Sequence, residues 1–332
     1  MEENARVLEI AGQQIRLIPE EDYRRAMKEE ILPALAEMRV EEAVPVQGGI
    51  LHAENYPRED FRGSIVVLHG YTESAEKLRE MVWYFLQAGF QVFSYDHRGH
   101  GQSLRLVEDL SVTHVDHFED YVEDLHTLVE KCVLPRSQGK PLYLFAHSMG
   151  GAVAGHYLIR HPDVFSRAVL SSPMIAPSAA PYPLWVGSQM AGFFCAIGKG
   201  KEMAFVGKPF DTASETLETS CDTSEARFSL YKERRAETDY LQNNSPTYRW
   251  INQAAVQRFS LLAGAGKIRA RVLLCQAGKD NVVLLPAQDR FIARVPLGRK
   301  AEFPEAKHEI YYSEDTVFPD YVKTVLEFLT AK

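Results

Sequence analysis

Between residues 64 and 170 the chain alternates between two kinds of apolar pattern. Short apolar runs of strand length occur at Ser64–Leu68, Phe90–Tyr95, Leu142–Ala146 and Arg167–Leu170. Runs that are apolar on both faces belong in a parallel sheet covered on both sides. Between them lie longer stretches with helical spacing. One extends from about Ala75 to Gln87 and stops before Gly89, a residue suited to ending a helix. A second, over residues 116–132, places Phe118, Tyr121, Val122, Leu125, Leu128, Val129 and Cys132 on one face. A third follows Ser148. This rhythm predicts a wound, mostly parallel central sheet with helices on both faces. Ahead of it, residues 20–38 carry a helical pattern (Tyr23, Met27, Ile31, Leu35, Met38), which Pro33 should kink or shorten.

The rhythm breaks after Ser172-Pro173. From Met174 to about Gly266 the pattern is helical and contains no convincing buried strand. It resumes with Arg271–Gln276, a helix from about Pro286, and a short strand near Lys300–Phe303. A final amphipathic helix uses Val317, Tyr321, Val322, Val325, Leu326 and Leu329. Because the chain must return to finish the sheet, the expectation is one α/β core, residues 1–173 and 267–332, interrupted by a helical cap at 174–266. No internal repeat or low-complexity tract interrupts this pattern.

The chemistry concentrates at strand ends. Ala146-His147-Ser148-Met149-Gly150 lies between a predicted strand and a predicted helix. A serine on such a turn, flanked two residues away by small side chains, is lifted above the sheet edge as a nucleophile. Alanine stands where the usual pattern has glycine, a difference of one methyl group. The alternative reading is a serine that merely caps the helix. A hydroxyl needs a base to attack an acyl carbon at neutral pH. His308, on the loop before the last helix, is positioned for this, and the other ten histidines lie at or before His161. Asp280, in Ala277-Gly278-Lys279-Asp280 just past a late strand, is the candidate acid, and its alternative role is a turn residue. Asp289 falls a helical turn or more further on, pointing away.

A tetrahedral intermediate needs two N–H donors. The expected pair are the backbone amides of Met149, after the nucleophile, and Tyr71, in His69-Gly70-Tyr71-Thr72-Glu73. His69 is expected to brace that loop. Asp96-His97-Arg98-Gly99-His100-Gly101-Gln102-Ser103 reads as a tight loop braced by Asp96 and Arg98, since no matching metal-ligand spacing occurs elsewhere. Nothing in this chemistry calls for a metal or an organic cofactor.

These residues resemble a known group. His69-Gly70, the Asp96–Ser103 loop, Ala146–Gly151, Asp280 and His308-Glu309-Ile310 occur in the order seen in monoacylglycerol lipases and bacterial lysophospholipases of the α/β-hydrolase fold. Phe118–Asp124 is similar to a helix start of the lysophospholipase L2-type proteins, and Asn244–Trp250 to their cap signature. The resemblance spans about residues 45–330. It implies an ester hydrolase acting on lysophospholipids or monoacylglycerols. A peptidase or amidase, a small-ester carboxylesterase and a non-catalytic binding protein of the same fold are the alternatives. The cap residues Tyr182, Leu184, Trp185, Val186, Met190, Phe193 and Phe194 could line an acyl tunnel or rest on a lipid interface, although for most of them packing against the core is expected.

Composition narrows the setting. The 332 residues are 45% hydrophobic and 25% charged, enough for a sizeable core. A net charge of -8 gives no attraction for phosphate backbones, so nucleic acid is not an expected partner. The scattered Cys132, Cys195, Cys221 and Cys275 form no disulfide or zinc pattern and suit a reducing compartment. Met1–Arg6 shows no signal-peptide start, and Tyr182–Gly198, interrupted by Gly187, Gln189 and Gly192, is read as a surface element rather than a membrane span. The expected location is cytoplasmic, with room for peripheral membrane contact through the cap.

Overall fold

The structure is a computed structural model and describes residues 7–331, so the reading of Met1–Arg6 lies outside the described residues. Its centre is an eight-stranded sheet. The strands are β1 (Val40–Val46), β2 (Gly49–Tyr56), β3 (Ser64–Leu68), β4 (Gln91–Tyr95), β5 (Leu142–His147), β6 (Arg167–Ser171), β7 (Arg271–Ala277) and β8 (Gly298–Phe303). Their order across the sheet is β1-β2-β4-β3-β5-β6-β7-β8. Only β1 and β2 run antiparallel to their neighbours; β4 to β8 pair in parallel.

The inner strands are the apolar runs of the sequence. Along β5, Leu144 and Ala146 enter the hydrophobic layer on one face of the sheet, while Phe145 enters the layer on the other. Two-sided burial is why those segments lack polar alternation. β1 was not anticipated, because it is a mostly exposed edge strand, Val-Glu-Glu-Ala-Val-Pro-Val, with little apolar signal. Its Pro45 is tolerated at an edge. A separate hairpin pairs Val7–Ile10 with Gln13–Arg16.

The helices labelled here are α1 (Arg79–Gln87), α2 (Glu119–Leu128), α3 (Ser148–Arg160), α4 (Leu184–Ala196), α5 (Glu225–Ala236), α6 (Tyr248–Gly264), α7 (Leu285–Ile292) and α8 (Phe318–Thr330). The expected interruption at Pro33 takes a specific form. Helices Glu20–Ala26 and Leu32–Met38 are joined by a π turn at Met27–Ile31, one turn ahead of the proline. The wider turn accommodates the ring and the missing amide without breaking the helix. The same arrangement follows α2, where a π turn at Val129–Val133 precedes Pro135.

The chain between β6 and β7 carries α4, α5 and α6. α5 is held to the core by Arg227, which is fully buried and makes two 2.9 Å hydrogen bonds to the Glu80 carboxylate of α1. The guanidinium also lies 3.9 Å from the Phe318 ring centroid and 4.7 Å from that of Tyr23. A buried charge is tolerable only when paired and hydrogen-bonded in this way. α4 packs along α6. Here the expectation for the apolar cap residues is corrected. Tyr182 (67%), Trp185 (60%), Phe193 (61%) and Met190 (40%) are exposed, while Leu184 packs on the core. Composition revealed their hydrophobicity but not which way α4 faces. Among the described residues no helix is long and apolar enough to cross a membrane, and all four cysteines are free.

Candidate active site

Parallel register brings the carboxyl ends of the central strands side by side. Leu68 of β3 is opposite Ala146 of β5, Ala146 is opposite Leu170 of β6, and Ser171 is opposite Cys275 of β7. In open α/β sheets ligands bind at such ends. β5 passes directly into α3 at Ser148, whose φ is +49°. Thr72 (φ +62°) after β3 and Ser172 (φ +43°) after β6 are also left-handed. Left-handed backbone is costly for side chains other than glycine, so three such residues around one point mark a site whose geometry is imposed by its surroundings. The turn is also tight. A Cβ on Gly150 would sit 2.5 Å from the His69 carbonyl oxygen, which fixes glycine there. Ala146, in contrast, is fully buried in the core and fits as a strand residue.

The side chains named from sequence converge. Ser148 Oγ is 2.8 Å from His308 Nε2, and His308 Nδ1 is 2.6 Å from Asp280 Oδ2. Asp280 sits after β7 and His308 between β8 and α8. The other Asp280 oxygen accepts the Val282 and Val283 amides at 2.8 and 3.1 Å. Asp280 is therefore both a turn residue and the imidazole's partner, and the turn aims it. Asp289 points elsewhere, to Lys300 at 2.7 Å. Among the described residues, neither the Tyr71 nor the Met149 amide has a protein acceptor. His69 braces the first of these loops, donating from Nδ1 to the Gly70 carbonyl at 2.7 Å and accepting the His97 amide at Nε2, 2.9 Å. Asp96 accepts the amides of Ala75 and Gln102, and Arg98 forks onto Asp124 at 2.6 and 2.7 Å.

Sequence reasoning missed the group behind these residues. Glu73, buried after β3, accepts the Gly70 amide at 2.5 Å and faces His147 Nδ1 at 3.1 Å through one oxygen. Its other oxygen accepts the Tyr311 hydroxyl at 2.5 Å and lies 3.5 Å from Lys77 Nζ. One carboxylate thus joins the Tyr71 loop, the serine turn and the histidine loop. Burial pushes the Glu73 carboxyl up, but His147 and Lys77 overcome this and hold it well below its ordinary value. Burial likewise opposes charge on His147, yet Glu73 outweighs it and raises that imidazole. The His147 and His308 rings are 4.9 Å apart. Only the closeness of Glu73 to the His-Gly pair hinted at this role; its partners lie 74 and 238 positions away.

A cavity of about 400 Å³ opens over Ser148 and His308. Its far wall comes from residues 214–222 and from Phe228, Tyr231, Lys232 and Arg235 of α5. For a metal, Glu41, His52 and Glu54 have ligand spacing, but Arg39 pairs with both acids and Arg79 lies 2.6 Å from Glu54. Their charge is already neutralised.

A sheet in this order bearing a serine turn at the end of β5 defines an α/β-hydrolase. Within that class the chain belongs to the family described as serine aminopeptidase, S33, which matches residues 59–315. It is 30% identical over 301 residues to lysophospholipase L2 of Escherichia coli strain K12, covering 86% of this chain and 84% of that protein. Among solved structures it is similar to a soluble variant of monoglyceride lipase from Saccharomyces cerevisiae, with a TM-score of 0.71, 20% identity, and coverage of 88% of this chain and 95% of that one. Monoacylglycerol lipase of Paleococcus ferrophilus gives a TM-score of 0.65 at 22% identity, covering 85% and 98%. The group suggested by the motifs is the group these relatives belong to.

Proposed function

We propose that the protein is a serine hydrolase that cleaves carboxylic esters of lysophospholipids or monoacylglycerols through an acyl-enzyme. Ser148 attacks the ester carbonyl while His308 Nε2 takes its proton. Asp280 holds Nδ1–H and stabilises the imidazolium. The amides of Tyr71 and Met149 bind the oxyanion, and donors already in place stabilise charge without reorganisation. His308 then protonates the departing alcohol. Water, deprotonated by the same imidazole, attacks the acyl-enzyme and releases the fatty acid and Ser148. The observation that carries this reading is the hydrogen-bonded chain Ser148–His308–Asp280 over a cavity. The similarity to lysophospholipase L2 supports a lysolipid substrate.

Residues 174–266 form the cap in this reading. Trp185, Phe193 and Tyr182 on its outer face rest in a lipid interface, where exposed aromatics gain by partial burial. The test compares wild type with Ser148→Ala on monoacylglycerols, lysophospholipids and short p-nitrophenyl esters, with fluorophosphonate labelling in parallel. Activity retained in Ser148→Ala sinks the mechanism. Brisk short-ester turnover with no lipid cleaved sinks the substrate class. An aminopeptidase reading draws on the family description. Preference for amino-acid arylamides over acyl esters would favour it.

A further inference from the structure

Of the lysine and arginine side chains lining the cavity, all but one are paired with a carboxylate. Lys77 lies between Glu309 and Glu73, at 2.5 and 3.5 Å. Arg235 pairs with the Glu215 carboxylate. Asp222 is pushed well up by burial and by Glu309 beside it, which favours its neutral form. Lys232 remains. Its ammonium donates to the Glu215 backbone carbonyl at 2.6 Å and has no carboxylate partner among the described residues. An ammonium has three donors, so two are left for the cavity it lines. Asp222 lines the same cavity but is only 5% exposed, and its carboxyl lies against Glu309 in the wall.

We infer that Lys232 forms a subsite for a glycerophosphate head group, with its ammonium on the phosphate. The inference rests on the lysolipid reading and sharpens it, favouring an anionic phosphodiester over neutral glycerol. Dimensions agree. The six bonds from ester carbonyl carbon to phosphorus span roughly 7 Å. The 400 Å³ cavity is roughly 9 Å across if taken as a sphere, so scissile ester and phosphate fit together. A phosphate monoanion in this cavity gains from a counter-charge, and Lys232 is the cation there with no carboxylate contact among the described residues.

Two assays test this on the full chain. The first compares kcat/KM for a lysophospholipid and a monoacylglycerol of the same acyl chain in wild type, Lys232→Met and Lys232→Arg. The lysophospholipid-to-monoacylglycerol ratio should fall about tenfold or more in Lys232→Met, through KM. In Lys232→Arg it should largely recover. The second measures inhibition of p-nitrophenyl butyrate hydrolysis by glycerol 3-phosphate and by glycerol. Glycerol 3-phosphate should compete more strongly in wild type, and this advantage should vanish in Lys232→Met. An unchanged ratio, or glycerol 3-phosphate no better than glycerol, overturns the subsite. Should wild type cleave no lysolipid, the second assay still decides the subsite separately from the substrate reading.

Discussion

Replacing Glu73 with glutamine isolates what the buried carboxylate contributes. Both of its oxygens face donors: the Gly70 amide and His147 on one side, the Tyr311 hydroxyl and Lys77 on the other. A glutamine amide has one acceptor oxygen and one NH₂, so in either orientation an NH₂ confronts a donor. Losing a hydrogen bond to a charged group costs about 1.5–3 kcal/mol, and the stranded buried donor adds about 1–3. Stability should therefore fall by about 3–5 kcal/mol, the range for breaking a buried ion pair. Gly70 immediately precedes Tyr71, so its release displaces the proposed oxyanion donor. A misplaced donor of that kind costs about 10²-fold in kcat. KM for a short p-nitrophenyl ester should change little. The effect must also depend on pH. Glu73 titrates below its ordinary value of 4.5, so its contribution is complete above that pH and fades as pH falls through the lowered value. His147 titrates above 6.5, so its contribution is complete below that pH and fades as pH climbs through the raised value. The pair stabilises most between 4.5 and 6.5. The Tm gap between wild type and Glu73→Gln should be widest near the middle of that window and narrow towards alkaline pH. A kcat within twofold of wild type, or a gap independent of pH, refutes the reasoning.

Asp280→Asn should lower kcat by about 10⁴ while the fold survives, as expected when an imidazole loses the partner that fixes its tautomer; steady-state kinetics with a melting curve checks both parts. Arg227→Met strands the Glu80 carboxylate in the core and should cost about 3–5 kcal/mol, with Glu80→Gln added to it recovering part of the loss in denaturant titrations. Paired Trp185→Ser and Phe193→Ser substitutions should reduce co-sedimentation with phospholipid vesicles and leave p-nitrophenyl butyrate hydrolysis intact; equal pelleting of variant and wild type counts against the cap as a lipid contact.

Those parts of the fold buried on both sides were legible. β3 to β7 are apolar runs because the sheet is covered on each face, whereas β1 and the Val7–Arg16 hairpin bury only isolated residues such as Val44, Ile10 and Ile15 and carried no such mark. Ser148, His308 and Asp280 could be picked out as candidates because such groups are expected at strand ends in a fixed chain order, and the structure brings them within hydrogen-bond reach of one another. Glu73 could not, because its meaning lies in contacts between loops far apart in sequence. The outward face of α4 escaped for a related reason: a helix apolar all round gives no direction, and only the packing of α6 beneath it decides which residues meet solvent.

The buried Arg227–Glu80 fork makes α5 and α4 differ in how firmly they are held. It fastens α5 to the core, while α4 leans mainly on α6 and turns its aromatics outward. The two helices are therefore unequally anchored, α5 through a buried ion pair and α4 through its packing on α6. Amide exchange should be slower over residues 225–236 than over 184–196; the reverse order would dismiss the asymmetry. The anchored helix is also the one that lines the cavity over Ser148. On the proposed lysolipid substrates, lengthening the acyl chain should then change kcat without changing the preference between head groups; a preference that shifts with chain length counts against it.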